Sequence, residues 1–468
     1  MELKPGSHVH LMGICGTAMA SLAGLLKDQG YRVTGSDANP YPPMSTQIEG
    51  MGIKIMKGYS PLNLNPKPDF VIVGNVIPAK NEEAQELMRL GIPFTSLPKA
   101  LGSQVIQDRE SIVMSGTHGK TTTTSMMAWV AQACGHKPGF LIGGIPKNFS
   151  QSFKNPEGKY FIIEGDEYDT AFFDKVPKFV HYKPRHVILT SIEFDHADIY
   201  KDLEDVKKAF QVLLTLIPTN GSFVYWAQDP HIASMVKSCK AGVQLSYGLK
   251  DADVIAKVIK ISEQGTVFEV QYKKENLGTF EFPMTGDYNV LNATAVIAMA
   301  VNLGWNLTDV KAALKTFGGV KRRQEVLGEP KGILVIEDFA HHPTAVRETI
   351  KGIKNKYKGR KIFSVFEPRS ATSRRKVFQK DYVEAFMTSD EVIIAKAFDQ
   401  TKIDEGDRFS TDELVADLSN QGRKAFCLDS ADSIVHHLRS QAKKGDLILI
   451  MSNGGFDGIY GKLLKALE

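Results

Sequence analysis

The clearest chemical signal in the sequence is a glycine-rich loop that ends in lysine and threonine. The residues Gly116, Thr117, His118, Gly119, Lys120, Thr121 and Thr122 follow an apolar run at 111–114 and precede a helical stretch at 122–132. Glycines let backbone N–H groups approach phosphate oxygens, and a helix amino terminus adds a favourable dipole. The lysine would reach the β- and γ-phosphates, and the threonine hydroxyl would bind Mg²⁺. Met114 stands where the fuller pattern has glycine, but the strand–loop–helix context favours an ATP-binding loop.

Two later apolar runs also end in side chains suited to nucleotide chemistry. Glu164 follows residues 159–163, whereas Glu193 and His196 follow residues 186–190. Carboxylates at the end of a buried strand suit a magnesium–nucleotide site. A histidine among acids either ligates a metal or orients a carboxylate. Taken alone, these segments also fit an acidic surface turn and a structural histidine. The glycine-rich loop earlier in the chain favours the nucleotide site instead.

Amides, arginines and a further carboxylate recur in the second half of the chain. Asn289 and Asn292 lie three residues apart on one face of a predicted helix, where amides read an adenine edge or cap the helix. The Arg322–Arg323 pair lies at the predicted boundary between the second and third domains. The two side chains are either solvated or neutralise a transferring phosphoryl group. Asp338 ends another apolar strand, as binding residues do in open α/β sheets.

The first strand leads into a loose dinucleotide-like fingerprint. Gly13, Cys15, Gly16 and Thr17 follow residues 8–12, and Asp37 ends the next strand. Two of the three glycines of the full pattern are absent. The segment fits a phosphate-bearing ligand with Asp37 near its sugar or base, and it does not by itself indicate NAD.

Composition excludes several other classes of protein. The chain has 468 residues and a net charge of +4, from 57 basic and 53 acidic side chains, so a dedicated nucleic-acid binder is not expected. The four cysteines are far apart, which favours reduced thiols over disulfides or a zinc–cysteine site. No signal-like or membrane-spanning apolar run is present, so we predict a cytoplasmic protein acting on small molecules.

Alternating strands and helices predict an α/β protein of three domains. We expect a Rossmann-like domain at 1–108, a central P-loop ATPase-like domain at 109–323 with a partly antiparallel flank in 223–272, and a Rossmann-like domain at 324–468. The sequence leaves the oligomeric state open.

In order, these motifs resemble the Mur ligase family, ATP-dependent amide-forming enzymes of peptidoglycan metabolism. The matching stretches are 115–122, 164–167, 195–198, 286–292, 322–323 and 338–344. Within the family, stretches 35–45, 172–175, 178–182, 367–370 and 451–456 look closest to the branch that joins UDP-N-acetylmuramate to the recycled peptide L-Ala-γ-D-Glu-meso-diaminopimelate. The branch that adds L-alanine carries a P-H-R-Y-T-R-like motif, where this chain reads Pro368-Arg369-Ser370-Ala371-Thr372-Ser373-Arg374. The L-alanine branch remains the nearest alternative.

The resemblance implies the cofactors ATP and Mg²⁺ and a role for each motif. Lys120, Glu164, His196 and Arg323 would be catalytic, and Thr121, Glu164 and His196 would hold Mg²⁺. The ATP site would comprise residues 116–122 with Asn289, Asn292, Arg323 and Asp338. The UDP substrate would bind Gly13, Cys15, Gly16, Thr17, Ser36 and Asp37, and the amino substrate would bind His341, Arg369, Arg374 and Arg375.

Other classes of protein explain only part of the sequence. An NAD-dependent dehydrogenase accounts for the first domain but not for the loop at 116–121, and it would turn over without ATP. A non-catalytic nucleotide-binding regulator would bind without releasing ADP. Folylpolyglutamate-type ligases share the core motifs, but the segment from Asp37 to Ser45 does not suit them.

Overall fold

The computed structural model describes residues 4–40 and 44–468. Part of the stretch 35–45, namely residues 41–43, therefore lies outside the described residues. Within the described ranges, no helix is both long and apolar enough to cross a membrane.

The first sheet is fully parallel, with strand order β3-β2-β1-β4-β5. Its strands are β1 His8–Met12, β2 Arg32–Asp37, β3 Lys54–Lys57, β4 Phe70–Val73 and β5 Phe94–Ser96. Its helices are α1 Thr17–Asp28, α2 Met44–Gly50, α3 Glu82–Arg89 and α4 Leu97–Leu101. Every residue of β1 is buried, as expected of a central parallel strand. The order reverses at β1, so the loop after β1 opens at a switch point where ligands of such sheets bind.

The second sheet has ten strands, ordered β17-β16-β15-β14-β13-β12-β6-β9-β7-β8. The strands of this region, including the separate hairpin β10–β11, are β6 Glu110–Ser115, β7 Gly139–Leu141, β8 Phe153–Lys154, β9 Tyr160–Gly165, β10 Asp169–Ala171, β11 Asp174–Pro177, β12 Pro184–Leu189, β13 Ser222–Trp226, β14 Val243–Gly248, β15 Val254–Ser262, β16 Gly265–Tyr272 and β17 Glu275–Phe282. The helices are α5 Lys120–Ala133, α6 Leu203–Leu216, α7 Pro230–Met235, α8 Asp287–Asn302 and α9 Leu307–Lys315. The predicted antiparallel flank is confirmed in β15 and β16, and β17 extends it.

The third sheet has six strands, ordered β18-β19-β23-β20-β21-β22, and only the edge strand β18 is antiparallel. The strands are β18 Glu325–Gly328, β19 Leu334–Asp338, β20 Ile362–Phe366, β21 Glu391–Ala395, β22 Lys424–Leu428 and β23 Leu447–Met451. The helices are α10 Pro343–Lys356, α11 Gln379–Phe386, α12 Thr411–Asn420, α13 Ala431–Gln441 and α14 Ile459–Leu467. The three-part α/β fold is as predicted. The predicted boundaries at 108/109 and 323/324 fall between the sheets and stay predictions.

Specific contacts fix the first domain against the second. Gly24 lies within α1, where glycine costs about 1 kcal/mol relative to alanine. A Cβ at this position would overlap the Phe153 ring of β8, so the glycine allows close approach. Beside it, the Ser21 and Ser152 hydroxyls lie 3.0 Å apart, and the Asn155 amide donates to the Leu25 carbonyl at 2.9 Å.

A buried histidine of β1 makes the stability of the fold depend on pH. Burial, followed by the positive charge of Arg32, lowers the pKa of His8 from 6.5 to about 4. The unfolded chain therefore binds more protons between these values, and the free energy of unfolding falls as pH drops from 6.5 toward 4. We expect the thermal midpoint to fall less between pH 7 and pH 5 in His8→Gln than in the parent chain. The exposed His436→Gln serves as control, and an identical fall in both variants would refute this account.

Candidate active site

A cavity of about 730 Å³ lies where the central sheet faces the third sheet. Its walls contain twelve of the predicted site residues: Thr117, His118, Gly119, Lys120, Thr121, Thr122, His196, Asn289, Asn292, Arg323, Asp338 and His341. Segments that are more than 200 residues apart in the chain thus meet in one cleft. Within the central sheet, β6 and β12 end at the same edge, which brings the loops that follow them together. The helix α8 and the third sheet supply the remaining side chains.

The glycine-rich loop joins the buried strand β6 to the amino terminus of α5. Gly116 and Gly119 have φ values of 126° and 81°, in the region that favours glycine. The Thr117 amide donates to the Ser191 carbonyl at 2.9 Å, and the His118 amide donates to the Ser191 hydroxyl at 3.2 Å. The loop is therefore anchored on the segment that follows β12, which also carries Glu193 and His196.

Lys120 is held as a cation at the first residue of α5. Its ammonium donates to the Gly116 carbonyl at 2.7 Å and to Glu167 at 3.1 Å. Burial alone would lower the pKa of Lys120, but the negative charges of Glu167 and Asp166 raise it above the ordinary value. The other oxygen of Glu167 lies 3.6 Å from His196 Nε2, so this buried carboxylate connects two predicted catalytic residues.

Thr121 and Glu164 form the part of the site that fits a magnesium ion. The Thr121 hydroxyl donates to Glu164 at 2.9 Å, and the Gly143 amide donates to the other carboxylate oxygen at 2.5 Å. Burial and then the negative charge of Asp166 raise the pKa of Glu164. A carboxylate in such surroundings favours a cation, and oxygen ligands suit Mg²⁺. His196, the third predicted ligand, contacts Glu167 and the Tyr168 ring instead.

Arg323 lies at the joint between the second and third sheets. Its guanidinium stacks 4.6 Å from the centre of the Phe339 ring. Burial lowers the pKa of Arg323, while the charges of Asp338 and Glu164 oppose that shift. Its neighbour Arg322 fixes the joint by donating to Glu337 at 2.6 Å and to the Gly454 carbonyl at 2.6 Å.

The residues predicted to bind adenosine differ in how many of their polar atoms already have hydrogen-bond partners within the protein. The Asn289 amide donates to the Thr285 carbonyl at 2.8 Å, but its own oxygen is buried without a partner. Asp338 accepts the backbone N–H groups of Gln324 and Ala340, both at 2.8 Å. Asp338 thus also orders the segment that carries Arg323. The adenosine assignment stays a prediction.

The loop predicted to bind UDP is hydrogen-bonded to Asp37, the acidic residue predicted to bind the same ligand. The Cys15 amide donates to Asp37 at 3.0 Å, and the Gly13 amide donates to the Ser36 carbonyl at 2.8 Å. Burial and the charge of Asp37 raise the pKa of Cys15 to about 11, so the thiol is neutral. The Ser36 hydroxyl is buried and donates to Glu83 at 2.7 Å, so it is already engaged within the domain. Gly16 and Thr17 lead into α1.

The four predicted amino-substrate residues do not form one cluster. His341 lines the large cavity, 3.8 Å from Asp195. Arg369 stacks 3.8 Å from the Phe398 ring centre, and Arg374 is held by the Asp399 carbonyl. Arg375 lies in the wall of a second cavity of about 560 Å³. These four roles stay predictions.

Several side chains that connect the two sheets across the cleft were given no role by the sequence, although Asp195 and His342 lie in its motifs. Asp195 accepts the Thr372 hydroxyl at 2.6 Å, and both residues are buried. His342 Nε2 lies 3.2 Å from the Phe194 carbonyl. Their partners are more than 140 residues away in the chain, so no local spacing marks them.

Comparison with known protein families assigns the chain to a family. Three families match in succession: the Mur ligase family catalytic domain at 8–109, the Mur ligase middle domain at 114–300, and the Mur ligase glutamate ligase domain at 322–454. The chain belongs to the Mur ligase family, whose members are ATP-dependent ligases.

Within this family the chain is similar to ligases that use a murein peptide. It is 39% identical to the UDP-N-acetylmuramate–L-alanyl-γ-D-glutamyl-meso-2,6-diaminoheptandioate ligase of Escherichia coli (strain K12), over 98% of each chain. The crystal structure of a murein peptide ligase from Psychrobacter arcticus matches at 37% identity and a TM-score of 0.73, over 99% of each chain. A UDP-N-acetylmuramate–L-alanine ligase from Desulfitobacterium hafniense is 31% identical, over 96% of this chain and 97% of its own.

Proposed function

We propose that this chain is an ATP-dependent ligase that joins UDP-N-acetylmuramate to the peptide L-Ala-γ-D-Glu-meso-diaminopimelate. The observation that carries the choice of amino substrate is the 39% identity, along the whole chain, to a ligase named for that peptide. The ligase of the L-alanine branch is the second candidate, supported by 31% identity to such a relative.

The arrangement of the cleft supports a two-step reaction. The muramate carboxylate attacks the γ-phosphorus of ATP, which forms an acyl phosphate and releases ADP. The free amine of the peptide then attacks the acyl carbon, and the tetrahedral intermediate collapses with loss of inorganic phosphate. Phosphoryl transfer depends chiefly on positioning and on neutralising charge.

The charged groups around the glycine-rich loop suit the first step. Lys120 and Arg323 would neutralise the γ-phosphoryl group. Lys120 pairs with the buried Glu167, and Arg323 lies in the field of Asp338 and Glu164. Thr121, Glu164 and His196 would hold Mg²⁺, which would supply charge neutralisation for the transferring phosphoryl group. Glu167 positions Lys120 and His196 together from one carboxylate.

The second step needs a binding site for the amine-bearing peptide, which we place at the carboxyl edge of the third sheet. His341 faces the cleft there, and Arg369 lies in the segment after β20. Arginine suits a peptide with several carboxylates because its planar fork pairs with carboxylate oxygens bidentately. We infer that carboxylates of the peptide bind near these two residues.

The Glu164→Gln variant tests the predicted magnesium ligand. The amide keeps the shape but removes the charge that binds the ion, so we expect turnover to fall about 10²-fold or more and the Mg²⁺ concentration for half-activity to rise. The measurement is phosphate release titrated with Mg²⁺. Glu157→Gln, an exposed carboxylate of the same domain, is the matched control. Unchanged Mg²⁺ dependence in Glu164→Gln would remove this residue from the metal site.

Product analysis tests the proposed reaction as a whole. The chain is incubated with ATP, Mg²⁺, UDP-N-acetylmuramate and the tripeptide, and the nucleotide-linked products are separated and weighed by mass spectrometry. We expect the UDP-muramyl tripeptide and one ADP for each product. ADP release without any amide product would contradict the proposal.

A further inference from the structure

A second cluster of potential metal ligands lies beside the glycine-rich loop. His118 Nε2 is 3.1 Å from Glu193 Oε2, and His342 Nδ1 is 3.3 Å from the same oxygen. All three ligand atoms lie within 4.8 Å of one another. His118 follows β6, Glu193 follows β12, and His342 caps the amino terminus of α10. The cluster therefore joins the central domain to the third domain.

The hydrogens of His342 can be assigned from its neighbours. Its Nε2 lies 3.2 Å from the Phe194 carbonyl, which only accepts, so Nε2 carries the hydrogen. Its Nδ1 accepts the Thr344 amide at 3.3 Å, so Nδ1 carries no hydrogen and the ring is neutral.

The two rings approach the same carboxylate oxygen. His118 Nε2 and His342 Nδ1 lie 3.1 and 3.3 Å from Glu193 Oε2. A divalent cation at this point would offset the negative charge of Glu193 and would replace the Thr344 hydrogen bond to Nδ1.

Two of the three separations in the cluster suit a tetrahedral ion. Ligand atoms that lie about 2.0–2.1 Å from tetrahedral zinc lie about 3.3 Å from each other, close to the 3.1 and 3.3 Å that separate the two ring nitrogens from Glu193 Oε2. The two ring nitrogens lie within 4.8 Å of each other, so ion binding would draw them together. A ring N–H directed at a backbone carbonyl, as in His342, is the usual orientation of a metal-bound histidine. Two imidazoles and one carboxylate favour zinc or a similar transition metal over magnesium.

We propose that His118, Glu193 and His342 form a binding site for a divalent transition metal of the zinc type. His118 and Glu193 both line the large cavity, so the fourth coordination position faces the cleft. There it would accept water or an oxygen of a bound ligand. Binding requires the Nδ1–H tautomer of His118, which frees its Nε2 lone pair. The site shares no residue with the predicted magnesium ligands Thr121, Glu164 and His196, and it is independent of the proposed function.

Cobalt binding to the metal-free full-length chain, without nucleotide, tests this site. Tetrahedral Co²⁺ gives intense visible absorption bands, whereas octahedral Co²⁺ gives weak ones. We expect one equivalent of Co²⁺ to produce the intense bands and Zn²⁺ to abolish them by displacement. His118→Gln and Glu193→Gln should each weaken cobalt binding at least about tenfold.

The matched control is Glu164→Gln, which alters the predicted magnesium site and leaves the three proposed ligands in place. Thermal unfolding of each variant establishes that it is folded. Bands retained by Glu164→Gln and lost by both cluster variants would support the site. Weak octahedral bands alone, bands that survive in His118→Gln and Glu193→Gln, or bands lost only in Glu164→Gln would overturn it.

Discussion

Lys120→Ala should abolish ADP and phosphate release while leaving binding of the UDP substrate intact. The lysine is the buried cation of the glycine-rich loop, and removing it leaves the γ-phosphoryl charge and Glu167 without their partner. Deleting one preorganised donor at a phosphoryl-transfer site costs about 10³-fold or more in turnover. The measurement combines phosphate release with calorimetric titration of UDP-N-acetylmuramate.

The predicted UDP loop follows a strand of the first sheet, whereas Lys120 follows a strand of the second sheet. Phosphate release and binding of the UDP substrate should therefore respond independently to the substitution. Lys208→Ala removes an exposed lysine of α6 and serves as the matched control. Simultaneous loss of both readouts in a folded Lys120→Ala protein would mean that the assignment of ligands to domains is wrong.

Arg369→Ala should raise KM for the tripeptide about 10²-fold and leave KM for ATP nearly unchanged. Its guanidinium is fixed between Glu367, at 3.2 Å, and the Phe398 ring. A pre-positioned guanidinium loses little entropy when it pairs with a carboxylate, so its removal should act mainly on binding. The measurement is steady-state phosphate release with each substrate varied in turn.

Two further variants make this test specific. A Cβ at Gly454 would overlap the Arg369 side chain, so Gly454→Ala should displace the guanidinium and also raise KM for the peptide. Arg439→Ala removes an exposed arginine of α13 and should change nothing. Unchanged KM for the tripeptide in Arg369→Ala would remove this residue from the peptide site.

The loop around Lys120 was predictable because its function depends on local chain geometry. Glycines with positive φ, a buried strand before them and a helix after them are all encoded within about twenty residues, and the fold confirms each element. The strand at β1 and the antiparallel strands β15 and β16 were predictable for the same reason, since hydrophobic pattern and turns are local.

The residues that connect the elements were not predictable in this way. Glu167 contacts Lys120 from 47 positions away, and Thr372 contacts Asp195 from 177 positions away. Such pairs depend on how two sheets pack, which a single sequence does not specify. Arg375 illustrates the same limit, because it is close in sequence to Arg369 but lies in the wall of a different cavity.

The most direct test of the central claim compares two amino substrates in otherwise identical reactions. Phosphate release from ATP is followed with UDP-N-acetylmuramate and Mg²⁺, in the presence of either the L-Ala-γ-D-Glu-meso-diaminopimelate tripeptide or L-alanine. The account predicts strong turnover with the tripeptide and little with L-alanine. Strong turnover with L-alanine and little with the tripeptide would contradict it and would make the chain an L-alanine ligase, with the ATP site unchanged.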